Sequence, residues 1–318
     1  MLSTIDIEDV AATTLQHRIP TLVDNFYVAS PLFKMLDMQD RIVADGGTRV
    51  EQPFIFARGP GGSYRGFDTL DITRRRTKSL LLFEWSQYYA SVSLDGLTRL
   101  RASGVNNVID MVDSELQSAE IGLKDDLGTD TFLDGTGNAG KAIVGLDLAL
   151  NTTGTYGGIN RATDLEGTAI RGNRDAAGGT LILPAIQSMW GDCSFGNEHP
   201  NLIITTQNLF DQIWNRLQPQ QRFPQGGNGE QLAAAGFNTI MFNNVPVVVD
   251  QRCPAGTLWE LNTNYIKLVP HVARANIEVE GPLPSVNQDV RVWKLYWMGC
   301  LVVQGPRFSG VMTGLTES

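Results

Sequence analysis

Apolar residues recur at helical intervals through residues 105–135. Val105, Val108, Val112, Leu116, Ala119, Leu123 and Leu127 stand three or four apart. Such a stripe predicts one helix of about 28 residues, roughly 42 Å long at 1.5 Å per residue. Other stretches carry β patterns. TRVEQPFIFA (48–57) reads as extended, and SLLLFEWSQYYASVSL (79–94) as a long β-rich run. LILPAIQSMW (181–190) predicts a helix, NLIITT (201–206) a strand, and QNLFDQIWNRL (207–217) a helix that Thr205 or Thr206 could cap. TIMFNNVPVVVDQRCPAGTLWELN (239–262) reads as strand, turn, strand, turn, strand, with VPVVV covered on both faces, and DVRVWKLYWMGCLVVQGPRF (289–308) as another buried strand or pair. Residues 5–38 read as short helices broken around Pro20 and Pro31, an arm more than a domain, and QPQQRFPQGGNGE (218–230) as a polar loop.

At 318 residues the chain exceeds what one core usually organises, so two packed units are expected, interleaved in sequence. Apolar residues at 42 % and charged residues at 19 % place it among ordered globular proteins. With 33 glycines and 14 prolines, turns are frequent, and an α+β architecture follows better than a helical bundle. The start, MLSTIDIEDVAATTLQHR, has neither the basic opening nor the apolar core of an export signal, and WKLYWMGCLVV is interrupted by Lys294. A soluble chain with no membrane partner is expected. Cys193, Cys253 and Cys300 are odd in number and far apart, and predict buried free thiols in place of disulfides or zinc.

Charge is unevenly spread. The chain is net −9, yet residues 58–79, RGPGGSYRGFDTLDITRRRTKS, carry Arg58, Arg65, Arg74, Arg75, Arg76 and Lys78 against Asp68 and Asp71 only. Two extended segments around the GPGG tip make a two-stranded projection, and an isolated ribbon of that kind is marginal in water. The long helix is the converse. Its polar faces carry Asp110, Asp113, Glu115, Glu120, Asp125, Asp126, Asp130 and Asp134 against the single Lys124. The basic arm suits nucleic acid, a phosphate ligand or an acidic surface on another copy of the chain. Ribbon and helix are complementary, so copies laid ribbon over helix are one reading, and two separately solvated faces the other. Each exposed pair is worth about 0–1 kcal/mol, so charge would set register and apolar contacts would supply affinity.

Catalytic signals are sparse. GTGNAG (135–140) fits GxGxxG, but it follows a predicted helix where the dinucleotide motif needs a strand, and a helix-ending turn is the better reading. His17, His199 and His271 have no partner at metal-ligand spacing, and there is no GxSxG elbow. No enzyme activity, cofactor or metal is expected. Arg74, Arg75 and Arg76 with Tyr64 and Phe67 nearby are a small footprint for a nucleic-acid binder on a chain of isoelectric point about 4.9.

The order of parts, from about residue 20 to 308, resembles a tailed-bacteriophage major capsid protein of the Hong Kong 97 type. It comprises an N-terminal arm, a projecting ribbon, a long acidic helix, a glycine-rich crossing with TYGGINRAT (155–163), a strand and helix domain, and a closing strand. MFNNVPVVVDQRCPAGTLWELN is similar to the stretch that builds the axial domain in such coat proteins. The resemblance implies an arm at 1–46, an extended loop at 47–94, a peripheral domain with its spine helix at 95–144, an axial domain at 145–268, and a return to the peripheral domain at 269–318. It implies self-assembly of pentamers and hexamers into an icosahedral shell around double-stranded DNA, found in the virion and assembled in the host cytoplasm. The portal and the packaged DNA would be partners, and since no room precedes the arm for a scaffolding domain, assembly would use a separate scaffolding protein or none. The ribbon holds only Lys78, so a shell without covalent crosslinks is expected. ATDLEGTAIRG lacks the tryptophan that often follows the GGI-x-R segment in close relatives. The encapsulin-type compartment, which resembles the same fold but encloses enzymes, is the alternative.

Overall fold

The computed structural model describes residues 30–38, 44–97, 111–217, 240–274, 277–284 and 287–317. In chain order the elements that position the exposed features are α1 (Pro31–Met38), β1 (Val50–Ile55), β2 (Lys78–Phe83), β3 (Ser86–Asp95), α2 (Met111–Asp130), α3 (Leu146–Ala149), β4 (Thr155–Tyr156) and β5 (Ile159–Asn160). They are followed by β6 (Asn173–Asp175), α4 (Leu183–Cys193), β7 (Leu202–Thr205), α5 (Gln207–Leu217), β8 (Ile240–Phe242), β9 (Val245–Val249), β10 (Leu258–Leu261), β11 (Ile266–Pro270), β12 (Glu278–Pro284), β13 (Val290–Val303) and β14 (Gly310–Met312).

Two sheets carry the fold. Strand β13, 14 residues long, is the spine of a four-stranded antiparallel sheet. It pairs with β3 from Val290 to Gly299 on one side, and with β12 and then β11 on the other. The second sheet is mixed and six-stranded, in the order β6-β14-β10-β7-β9-β8, with β6/β14 and β7/β9 parallel. Helices α4 and α5 cover one of its faces, so strand side chains alternate between two cores. Ile203, Val247, Leu258 and Met312 pack with Ile186, Met189, Leu209 and Ile213 of the helices. Ile204, Val248, Trp259 and Val311 turn the other way, into a core shared with α1, α2 and the four-stranded sheet. VPVVV is buried through its first four positions because it lies inside the sheet with both faces covered.

Several expectations hold in the described residues. Helix α2 buries Leu123 and Leu127, with Leu116 and Ala119 packed against the same core, as the stripe predicts. Helix α5 runs over 207–217 and buries Leu209, Phe210 and Ile213. All three cysteines are buried free thiols. Residues 1–29, 98–110 and 218–239, which include most of the expected arm, the first turns of the predicted helix and the polar loop, lie outside the described residues.

Two expectations need correction. The β-rich run at 79–94 divides at Glu84-Trp85: β2 stays in the ribbon with β1, whereas β3 joins the four-stranded sheet. Ten residues of β3 pair with β13, and the Tyr88 hydroxyl fastens β3 to α2 as well, donating to Asp130 (2.6 Å) and accepting from the Ile143 amide (2.9 Å). The closing segment also divides. Residues 310–312 insert as β14 between β6 and β10 of the six-stranded sheet, so the chain beyond 269 does not return wholly to the sheet of β13. Glu317 holds that end in place by accepting from Thr206 Oγ1 (2.6 Å) and the Gly256 amide (2.7 Å).

Candidate subunit-contact surface

The ribbon pairs β1 with β2 from Val50↔Phe83 to Ile55↔Lys78, and the Phe56 amide donating to the Thr77 carbonyl (3.0 Å) continues it by one bond. Its two faces differ. Leu81 and Phe83 are buried, and Phe83 meets Tyr156 edge-on at 5.4 Å between centroids. On the opposite face Ile55 is 71 % exposed and Leu80 46 %. The ribbon root therefore lies on its own chain, over the TYGG turn between β4 and β5. Gly157 and Gly158 make this possible: both have positive φ, and Gly157 has no Cβ to hold Leu81 away.

Beyond the ribbon the chain changes character. Every residue from 58 to 76 is exposed, with no helix or strand, and Phe67 and Ile72 lie bare alongside Tyr64 and Leu70. Its hydrogen bonds are local: the Arg65 amide to Asp68, the Thr73 amide to Asp71, and Arg75 to Asp71 at 2.8 Å. Among the described residues Arg58, Arg65, Arg74 and Lys78 make no ion pair. Arg76 differs. Its guanidinium binds Glu166 at 2.9 Å, a contact across 90 residues within one chain. Sequence reading missed Glu166, since the acids of ATDLEG carry no periodic signal.

Among the described residues none of the arm's cations reaches the acidic helix. Glu120 pairs with Lys124 (2.7 Å) and Asp125 with Arg252. Glu115 has no ion pair among the described residues, and Asp110 and the side chain of Asp113 lie outside them. Asp126 has its carboxyl pushed above the ordinary range by desolvation and by Asp125 and Asp130 beside it. The negative end of the helix dipole falls on the same turn, so like charge gathers at this end of α2 and Arg252 offsets only part of it.

The crossing at 155–170 is pinned from beneath by Arg161, 1 % exposed. It donates to the carbonyls of Leu148 (3.0 Å) and Ala149 (2.7 Å) at the end of α3, and to Thr153 and Ile170 (3.1 Å each). Its guanidinium lies 5.1 Å from the Tyr156 ring centroid. The turn that supports the ribbon thus rests on one buried cation.

Among the described residues the histidines make aromatic contacts. His199 stacks on Trp190 and His271 meets Trp85 edge-on, while His17 lies outside the described residues. Among the described residues no group of three His, Cys, Asp or Glu could hold a metal, and no helix is long and apolar enough to cross a membrane. GTGNAG forms a turn after α2, with Asn138 and Ala139 left-handed (φ 48° and 57°) and no strand before it, so it lacks the strand-to-helix geometry of a dinucleotide cradle.

No protein-family model and no curated protein matches the sequence. Solved structures do match. The capsid asymmetric unit of cyanophage A-1(L) superposes with a TM-score of 0.72 at 16 % identity, covering 94 % of this chain and 96 % of that one. The capsid of a native GTA particle gives 0.65 at 10 % identity, over 99 % and 100 % of the two chains. A holo encapsulin complex from Synechococcus elongatus gives 0.60 at 10 % identity, over 100 % and 97 %. Likeness at this identity, over nearly the whole of each chain, is likeness of fold: the chain has the Hong Kong 97-type capsid fold.

Proposed function

We propose that the chain is a major capsid protein that self-assembles into an icosahedral shell enclosing double-stranded DNA. The observation that carries this reading is the loop 58–76, which exposes Phe67 and Ile72 on a chain whose fold is that of capsid structures. Bare aromatic and aliphatic side chains beside open arginines are what a contact arm offers a partner of opposite charge. The like charge gathered on α2 is a fitting recipient. Arg58, Arg65, Arg74 and Lys78 of one subunit would meet Glu115, Asp126 and their neighbours on the next, and the apolar residues would supply affinity. One heterologous contact repeated in this way closes into rings and then a shell.

In this reading the six-stranded sheet with α4 and α5 is the axial unit around five- and six-fold axes, and the four-stranded sheet with α2 is the peripheral unit. The role is structural, in the virion, with the portal and a scaffolding protein as partners. Sedimentation of the chain expressed in bacteria tests it: fast-sedimenting shells are expected, and a discrete small oligomer with or without scaffolding protein would overturn it. The encapsulin likeness supports a second reading, a shell around enzyme cargo. Particles that package DNA in the presence of portal and packaging proteins favour the first, and particles holding one folded enzyme favour the second.

A further inference from the structure

Glu166 joins the root of the loop to the rest of the chain. Its side chain is 8 % exposed, and Oε1 accepts from Ser79 Oγ (2.8 Å) and from Arg76 Nη2 (2.9 Å). The same Arg76 nitrogen donates to Ser79 Oγ at 2.8 Å, which closes a three-way ring. Arg76 also lies 5.9 Å from the ring centroid of Phe56, the residue at which ribbon pairing ends. The three groups come from the two sides of one joint: Ser79 from the ribbon, Arg76 from the end of the loop before it, and Glu166 from the segment that follows β5. On the loop side of this point, no hydrogen bond among the described residues ties 58–75 to anything beyond the loop itself.

The two partners are unequal. Glu166 is buried, so removing Arg76 would leave its charge without a cation, held by the Ser79 hydroxyl and its own backbone amide. Arg76 is 60 % exposed and keeps donors free for another acid. Arg75 is held by its own loop, and Arg74 makes no ion pair among the described residues, so Arg76 alone of the three arginines bridges two segments. A joint at this place has leverage. Half of an extended loop reaches about 30 Å, so a tilt of about ten degrees at the root carries the tip about 5 Å, a full contact distance.

We propose that Glu166 is a latch that clamps the loop root to the 155–167 segment in the free subunit and so presets the attitude at which the contact loop leaves the body. The inference rests on the loop being a contact arm, but the latch itself is a property of the unassembled chain and is read there. Hydrogen exchange of free subunits compares wild type with Glu166→Ala and Glu166→Gln. In the alanine variant, amides of 78–83, including Leu82, which donates to Gly157, are expected to exchange about tenfold faster, with β13 unchanged. The glutamine variant falls between, because its amide oxygen still accepts from Ser79 and Arg76. Ser79→Ala gives the same readout should the alanine variant fail to fold. Unchanged ribbon exchange in folded Glu166→Ala overturns the latch. Faster exchange with particle size and yield equal to wild type overturns its part in presetting the loop. Wild-type subunits that never form particles count against the shell reading alone, since the exchange result stands apart from it.

Discussion

Leu81 lies against the bare α-carbon of Gly157: a Cβ there would fall 2.7 Å from Leu81 Cδ2 and 2.9 Å from Leu81 Cβ. Gly157 also has φ +56°, where an L side chain is strained. Gly157→Ala should therefore cost about 2 kcal/mol, combining backbone strain with displacement of the ribbon. Thermal unfolding and limited proteolysis check this. A lower midpoint with faster cleavage between 56 and 83 is expected, and an unchanged midpoint would show that the ribbon does not rest on this turn.

Arg161 supports the same turn from below. Arg161→Lys keeps the charge but has no planar fork to reach four carbonyls at once. With the carbonyls of Leu148, Ala149, Thr153 and Ile170 left short of donors, a loss of about 3 kcal/mol or more is expected in urea unfolding. A loss below about 1 kcal/mol would mean that water replaces the guanidinium.

Glu260 sets a pH dependence. It is fully buried on β10, both carboxylate oxygens lack a hydrogen-bond partner among the described residues, and burial pushes its carboxyl up to about 8. The folded chain thus keeps it neutral where the unfolded chain ionises it. Stability falls as pH rises from the unfolded value near 4.5 and levels off above about 8. Glu260→Gln removes this slope. The variant should exceed wild type by about 2–4 kcal/mol near pH 8 and lose that advantage near pH 5. Urea midpoints at the two pH values decide, and an equal difference at both would contradict the assignment.

The contrast between Glu260 and Leu123 shows what was legible in the sequence. Leu123 and Leu127 belong to a periodic stripe, and periodicity is local, so α2 could be read without knowing what covers it. Glu260 sits in LWEL, where strand alternation alone would face it to water. It is buried because β10 lies in the middle of a sheet covered on both sides, a fact that depends on β14 arriving some fifty residues later. The arm's charge was legible in the same local way. Its partner in the free chain was not, because Glu166 lies 90 residues from Arg76 and nothing in ATDLEG marks it.

That pairing also changes which charges test the shell. Reversing Arg76 with its neighbours would place a new carboxylate against Glu166 and disturb the latch, so loss of particles would have two causes. Arg58, Arg65 and Arg74 make no ion pair among the described residues and isolate the contact.

The most direct measurement is negative-stain electron microscopy of wild type beside the triple variant Arg58→Glu, Arg65→Glu, Arg74→Glu, each expressed with a scaffolding partner. Closed polyhedral shells are predicted for wild type, and folded rings or free subunits for the variant. A homogeneous small oligomer from wild type would contradict the shell, and normal shells from the variant would contradict the role given to the loop.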